Sequence, residues 1–248
     1  MKYTKIFLKV LVCCVVVFFI FNLSFSKVET IADFTEYIKS NPNDYEGYYG
    51  RANLYKSFGV YKQAIQDYDK VIELKPDLVE AYNNRGFSYV ELEKFDLAFA
   101  DFNKALELKP DLPEAYNNRG FAYFNLQKYD LALADFNKAL EINPKYAEPY
   151  FNRGNIYKSL EKYDLAIEDY SKAIEFDYPR HNLPYINRGL VYFALGQYEK
   201  AIQDYDVAID MDSFDVNGYN YRGEAYLALG DEENAQKDFE MAKKIESE

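Results

Sequence analysis

Arginine and aspartate recur along the sequence at a fixed spacing, and they are the residues in it best suited to chemistry. Successive arginines lie 34 or 35 residues apart, and an aspartate follows each of them 16 residues later. The arginines are Arg51, Arg85, Arg119, Arg153, Arg188 and Arg222, and the aspartates are Asp67, Asp101, Asp135, Asp169, Asp204 and Asp238. A guanidinium can bind a carboxylate through two parallel hydrogen bonds, or it can bind an anionic ligand. Because every arginine comes with an acid of its own, we expect structural ion pairs, and an anion-binding row of arginines is the alternative.

Residue types that serve catalysis and metal binding are scarce. The sequence has one histidine, His181, and two cysteines, Cys13 and Cys14. It contains no glycine-rich phosphate loop, no nucleophile elbow and no HExxH motif, and a single histidine gives little support to a Ser-His-Asp triad. We therefore expect a protein that is not an enzyme and that needs no cofactor or metal, with His181 a solvated turn residue.

The arginines and aspartates belong to a longer repeat. The stretch Ala81–Pro110 returns almost unchanged as Ala115–Pro144, with an offset of 34 residues. This period predicts six units. They cover residues 45–78, 79–112, 113–146, 147–180, 182–215 and 216–248, a repeat region of 45–248. Tyrosine occupies positions 4 and 11 of every unit, and because seven residues are two turns of an α-helix, these side chains share one face.

Small and aromatic residues mark the predicted contact between two helices in each unit. Position 8 is Gly or Ala, position 11 is Tyr, position 20 is Ala, position 24 is Tyr or Phe, position 27 is Val or Ala, and position 32 is Pro in the first three units. This pattern at this period resembles the tetratricopeptide repeat (TPR) family. The resemblance covers about four fifths of the chain and implies an all-α, right-handed superhelical solenoid of about six TPR helix-turn-helix repeats.

The resemblance also implies a binding groove. In this family the concave face is formed mainly by the first helix of each repeat, at positions 2, 5, 9, 12 and 13, and extended peptides commonly lie in it. We predict that phenylalanines there, which the core does not need, bind apolar side chains, and that asparagines bind the peptide backbone. The predicted groove residues are Tyr49, Asn53, Asn83, Phe87, Asn117, Phe121, Phe124, Phe151, Asn155 and Phe193. Tighter packing between repeats is the alternative role of the phenylalanines.

The residues before the repeats predict two further elements. Three lysines precede an apolar run over residues 10–21, which is typical of a signal peptide over residues 1–26, and an uncleaved membrane anchor is the alternative. We therefore expect an exported protein that is periplasmic, at the cell surface or secreted. Residues 27–44 are predicted to form an N-terminal capping helix with Phe34 and Tyr37 on core positions.

The charge of the chain limits its partners. The net charge is −12, and because three of the 29 basic residues lie in the predicted signal peptide, cleavage would leave 26 against 41 acidic residues, a net charge of −15. This acidity opposes binding to nucleic acid or to an anionic membrane and favours a neutral or basic protein or peptide. We expect a non-catalytic scaffold for protein–protein interaction. The alternatives are a homo-oligomerising structural protein and a membrane-anchored adaptor subunit of an envelope complex.

Overall fold

A succession of α-helices makes up the described part of the chain. The computed structural model describes residues 30–247, so the predicted signal peptide or anchor over residues 1–26 lies outside the described residues. The helices are α1 Ile31–Ser40, α2 Tyr45–Ser57, α3 Tyr61–Leu74, α4 Val79–Glu91, α5 Phe95–Leu108, α6 Pro113–Asn125, α7 Tyr129–Ile142, α8 Ala147–Ser159, α9 Tyr163–Glu175, α10 Asn182–Ala194, α11 Tyr198–Met211, α12 Val216–Ala228 and α13 Glu232–Glu246. Within residues 30–247 there is no strand. The predicted all-α fold of helix-turn-helix repeats is confirmed.

The turn between the two helices of each repeat depends on a left-handed residue at position 15. The residues with positive φ there are Gly59, Gly196 and Gly230, at 69–80°, and Glu93, Gln127 and Glu161, at 56–57°. This conformation ends the first helix, because the amide of Gln127 turns back to donate to the carbonyl of Phe124 at 2.8 Å. The chain can then enter the second helix in the opposite direction.

The two helices of a repeat approach closely because position 8 is small. An alanine methyl group at Gly120 would lie 2.7 Å from Cε1 of Phe136, and one at Gly189 would lie 2.5 Å from Cε1 of Tyr205. Both rings are at position 24 and fully buried, as is the alanine at position 20 of every repeat. The steric reason predicted for glycine in the middle of a helix is confirmed.

The described residues up to Pro76, from residue 30, form the first of two compact units. Helix α1 packs on α2, and α2 packs on α3. The prediction that Tyr37 is a core residue is wrong, because its side chain is 43% exposed and its hydroxyl donates to Asp44 at 2.5 Å. Phe34 is half-buried, and Ile38, one residue after Tyr37, supplies the buried side chain of α1.

Residues from Asp77 onward form the second unit, which holds α4 to α13. Each helix there packs on the next, and the first helices of successive repeats, α4, α6, α8, α10 and α12, also contact one another in order. Among the described residues of this unit, no Cα atom of one second helix lies within 8 Å of a Cα atom of another second helix. The first helices therefore form the inner row of the unit, and we call the surface that they present away from the second helices the inner face.

Candidate binding surface

The repeat arginines and aspartates form ion pairs inside the repeats, as their spacing predicts. In each pair the arginine Nε donates to Oδ2 at 2.7–2.9 Å and Nη2 donates to Oδ1 at 2.6–2.8 Å. The arginine side chains are 17–20% exposed and the aspartates are 3–9% exposed. Because these charges are paired and mostly buried, the arginines do not form an open anion-binding row.

The remaining terminal nitrogen of the guanidinium joins neighbouring repeats in the second unit. The bonds from Nη1 run from Arg119 to Asn103, from Arg153 to Asn137, from Arg188 to Ser171 and from Arg222 to Asp206, at 2.5–2.8 Å. Each acceptor is at position 25 of the preceding repeat. This contact was not predicted from the sequence, although position 25 carries an Asn, Asp or Ser acceptor in each of the first five repeats.

Four of the predicted groove phenylalanines lie on first helices and are half-buried. They are Phe87, Phe121, Phe124 and Phe193. Phe121, Phe124 and Phe193 pack against the buried hydrophobic clusters of the second unit. The expectation that core packing leaves these three rings unused is therefore wrong. Each ring contributes to the core and still keeps part of its surface accessible, and the rings of Phe121 and Phe124 lie 6.5 Å apart.

Two predicted groove asparagines bind asparagines of the next repeat instead of presenting free amides. Nδ2 of Asn118 donates to Oδ1 of Asn83, and Nδ2 of Asn152 donates to Oδ1 of Asn117, both at 3.0 Å. Asn83 and Asn117 are only 8% and 6% exposed. The prediction that they bind a peptide backbone is corrected on this point, because their oxygens link successive repeats.

The other two predicted asparagines accept hydrogen bonds from buried tyrosines. The hydroxyl of Tyr68 donates to Oδ1 of Asn53 at 2.6 Å, and that of Tyr170 donates to Oδ1 of Asn155 at 2.8 Å. Each asparagine is at position 9 and each tyrosine is at position 24 of the same repeat. The sequence carries a signal for this pairing, since the two repeats with Asn at position 9 both have Tyr at position 24.

The remaining two predicted groove residues also pack against tyrosines. Phe151 is 7% exposed, and its ring stacks on Tyr178 with centroids 4.4 Å apart and lies 5.9 Å from the ring of Tyr170. The prediction that Phe151 lines the groove is therefore corrected, because its side chain belongs to the core of the fourth repeat. Tyr49, in the first compact unit, is half-buried with its ring 6.2 Å from that of Tyr68.

Carboxylates at position 2 of the third and fourth repeats make this part of the first helices acidic. Burial raises the pKa of Glu148, and the nearby charge of Glu114 raises it further. Burial and both carboxylates also raise the pKa of Tyr146. At the other end of α8, burial lowers the pKa of Lys158, whose Nζ donates to Oδ1 of Asn187 at 2.6 Å. The energetic cost of two neighbouring carboxylates would fall if a cation bound beside them.

Other kinds of site have weaker support in the part of the chain that the structure describes. Within residues 30–247 no group of three or more His, Cys, Asp or Glu side chains is placed to hold a metal ion. Nδ1 of His181 lies 3.0 Å from Oδ1 of Asp177, and both side chains are exposed. Across the same residues no helix combines the length and the apolar composition that crossing a membrane requires. The half-buried rings of the first helices thus provide the candidate site.

Protein-family models match most of the chain. Models described as tetratricopeptide repeat match residues 113–146, 147–177 and 216–248, and a model described as TPR repeat matches residues 52–92, 88–127 and 189–230. A comparison with curated proteins gave no match.

Several solved structures resemble the chain. The MamA protein is 25% identical with a TM-score of 0.60, and the match covers 68% of this chain and 92% of MamA. A tetratricopeptide repeat protein from Parabacteroides merdae is 26% identical with a TM-score of 0.64, over 87% of this chain and 85% of that one. YrrB, described as a TPR protein with an unusual peptide-binding site, is 28% identical with a TM-score of 0.51, over 76% and 97%.

Proposed function

The chain belongs to the tetratricopeptide repeat family, and on that premise we propose that it is a non-catalytic scaffold whose inner face binds a segment of another protein. The observation that carries the proposal is the set of half-buried phenylalanines on the first helices, Phe87, Phe121, Phe124 and Phe193. Rings that are fixed by packing on one side and accessible on the other lose little entropy when they bind, which is typical of residues that dominate binding energy. The peptide-binding site named for YrrB supports the same use of the fold.

The partner segment is expected to be apolar with neutral or basic side chains. Apolar side chains would contact the phenylalanine rings, and a lysine or arginine would be favoured beside Glu114 and Glu148, where the charge of one carboxylate already raises the pKa of the other. The net charge of −12 adds a general attraction for basic segments. The chain offers no comparable attraction for nucleic acid.

The test is selection of binding peptides from a random library of 12-residue peptides, followed by affinity measurement with fluorescently labelled peptides. A variant that replaces Phe87, Phe121 and Phe124 by Ala is expected to bind the selected peptides at least about tenfold more weakly, since each removed anchor contributes more than about 1 kcal/mol. The matched control replaces three exposed leucines of second helices, Leu97, Leu131 and Leu165, by Ala. Equal affinity of the phenylalanine variant and the wild type would reject the proposal.

Self-association is a second candidate function, and the same three leucines favour it. Leu97, Leu131 and Leu165 occupy position 19 of successive repeats and are 42–49% exposed. A regular row of exposed leucines can bury apolar surface against a second copy of the chain. Light scattering at two protein concentrations tests this: a mass that rises with concentration, and that falls when the three leucines are changed to Gln, supports it, whereas a constant monomer mass removes it.

We also propose that the chain is exported, with residues 1–26 acting as a signal peptide or as an uncleaved anchor that would hold an adaptor in an envelope complex. The basis is the short apolar run that follows three lysines. N-terminal sequencing of the protein from fractionated cells separates the two. A first residue at position 27 indicates cleavage, an intact N-terminus in the membrane fraction indicates an anchor, and an intact N-terminus in the cytosol rejects export.

A further inference from the structure

The tyrosines at position 24 differ in what their hydroxyls bind. Three repeats have tyrosine there, Tyr68, Tyr170 and Tyr205, and all three side chains are fully buried. In the first and fourth repeats the hydroxyl donates to an asparagine amide oxygen at position 9. The second, third and sixth repeats have phenylalanine at position 24 and therefore place no hydroxyl there.

The fifth repeat keeps the tyrosine but lacks the asparagine. Position 9 is Leu190, and the hydroxyl of Tyr205 is buried with no hydrogen-bond partner within residues 30–247. Buried polar groups in native proteins almost always have a partner, and an exception calls for an explanation. The same hydroxyl is satisfied in two other repeats of this chain, so the exception comes from the residue at position 9 and not from the architecture of the repeat.

The surroundings of this hydroxyl indicate what would satisfy it. Leu190 and Tyr221 are partly buried and pack against the cluster that contains Tyr205, with the rings of Tyr205 and Tyr221 5.9 Å apart. The side chain of Glu224, at position 9 of the sixth repeat, is exposed. Its charge reaches Tyr205, whose pKa is raised mainly by burial and further by Tyr221 and Glu224. Glu224 is also three residues after Tyr221 on α12, so its carboxylate lies on the same side of that helix as the ring that is 5.9 Å from Tyr205.

We propose that the fifth repeat binds an amide group of the ligand in place of the asparagine that the first and fourth repeats supply themselves. The ligand carbonyl accepts from the hydroxyl of Tyr205, and the ligand N–H donates to the carboxylate of Glu224. Leu190 and Tyr221 pack against the cluster in which Tyr205 is buried, so a ligand can reach the hydroxyl only if a side chain of this cluster moves aside. An amide fits both groups, whereas a ligand carboxylate would be repelled by Glu224 and an ammonium group could not accept from the hydroxyl. The inference rests on the proposed peptide-binding function and adds a specificity position to it.

Substitution of the tyrosines tests whether the hydroxyl of Tyr205 is unused in the free protein. Tyr205→Phe is expected to leave the midpoint of thermal unfolding unchanged or to raise it, because it removes a buried hydroxyl without a partner. The matched control, Tyr170→Phe, is expected to lower the midpoint, because it breaks the hydrogen bond to Asn155. If Tyr205→Phe lowers the midpoint as much as Tyr170→Phe does, the hydroxyl already has a partner and the proposal fails.

Small amides test the site directly. The full-length protein with labelled leucine and alanine methyl groups is titrated with propionamide, N-methylacetamide and, as a control, propionate. The NMR signals followed are those of Leu190 and of Ala225, which is buried in the same cluster as Tyr205 and is kept in every variant. We expect an amide and not propionate to shift them, and Leu190→Asn to abolish binding because its own amide would occupy the hydroxyl. A shift by propionamide points to an Asn or Gln side chain of the ligand, and one by N-methylacetamide points to its backbone. Equal shifts from propionate, or none from either amide, would overturn the proposal.

Peptides selected on the wild-type protein separate this inference from the proposed function. Tyr205→Phe and Leu190→Asn are expected to weaken their binding about three- to tenfold, the range for loss of one hydrogen bond. If replacing Phe87, Phe121 and Phe124 abolishes binding while these two variants bind as the wild type does, the amide site is wrong and the proposed function stands. If amides bind at Leu190 but no peptide can be selected, the proposed function fails while the amide site stands.

Discussion

The guanidinium group of a repeat arginine makes three kinds of contact at once. Arg119 holds Asp135 through two hydrogen bonds, donates to Asn103 of the preceding repeat and lies 5.5 Å above the ring of Tyr116. Removing one partner of a buried ion pair is costly, because the other charge is left buried and unpaired. The repeat arginines therefore stabilise the fold, and no donor-rich surface of theirs is left open for a ligand.

We expect Arg119→Ala to lower the free energy of unfolding by about 3 kcal/mol, measured by urea denaturation. The folded variant should bind selected peptides with unchanged affinity. Lys138→Ala, which breaks the exposed ion pair with Glu141, is the control and should change stability little. A variant that keeps its stability and loses peptide binding would place the arginine in the binding site instead.

The half-buried carboxyl group of Glu148 gives a prediction about pH. Burial and the charge of Glu114 raise its pKa in the folded protein, so the folded state holds this proton more tightly than the unfolded state does. The protonated carboxyl group therefore stabilises the folded state at acidic pH, and this contribution is lost as the pH rises through the raised pKa. We expect Glu148→Gln to be more stable than the wild type at pH 7, with the difference shrinking towards zero near pH 4. A Gln variant that is less stable at pH 7 would contradict this.

At the scale of the helical hairpin, the same turn geometry is made from different residues. The residue at position 15 has a left-handed backbone conformation in the six repeats, although three repeats have glycine there and three have Glu or Gln. Residues with a side chain pay a steric cost of about 1–2 kcal/mol in this conformation, and glycine does not. The second, third and fourth repeats therefore carry strain that the first, fifth and sixth avoid.

Replacing Gln127 by Gly is expected to raise the free energy of unfolding by about 0.5–1 kcal/mol, because relief of the strain exceeds the entropy that glycine adds to the unfolded chain. Gly230→Ala is the reciprocal control: it has φ of 80° and open space around an added methyl group, so it should destabilise through backbone conformation alone. Thermal unfolding of both variants measures this. Destabilisation by Gln127→Gly would mean that the side chain makes a contact that outweighs the strain.

The hairpins could be predicted from the sequence because their determinants are local and repeated. Tyrosines seven residues apart, glycine or alanine at position 8 and alanine at position 20 each specify one face of one helix. The hydrogen bond from Asn118 to Asn83 could not be predicted from these patterns, because it depends on the distance between neighbouring repeats. The prediction that Tyr37 is a core residue was wrong for a related reason. Its side chain turns towards Asp44, where the hydroxyl finds a hydrogen-bond acceptor.

At the scale of the second compact unit, neighbouring repeats are joined by polar bonds as well as by apolar packing. Asparagine pairs link the second repeat to the third and the third to the fourth, and arginine Nη1 bonds link each repeat from the third onward to the one before it. Stability in a repeat array depends on such nearest-neighbour contacts. Most of the polar side chains that were predicted to bind a ligand instead form hydrogen bonds within the protein.

Of the residues predicted to form the binding surface, mainly the phenylalanines remain available for contact with a partner. Phe87, Phe121, Phe124 and Phe193 lie on first helices with part of each ring accessible. The family pattern indicates which helix faces inward, so the phenylalanines could be located from the sequence. The pattern does not indicate which side chains are satisfied within the protein, so Phe151 and the asparagines were included although burial or hydrogen bonds occupy them.

Photo-crosslinking tests most directly whether a protein segment binds the inner face. A benzoylphenylalanine is introduced in place of Phe121, on α6 of the inner row, or in place of Ala134, an exposed residue on α7, the second helix of the same repeat. Each protein is irradiated with a selected 12-residue peptide, and the crosslinked product is measured by mass spectrometry. We expect crosslinks from position 121 and none from position 134. Crosslinks from position 134 without any from position 121 would contradict it.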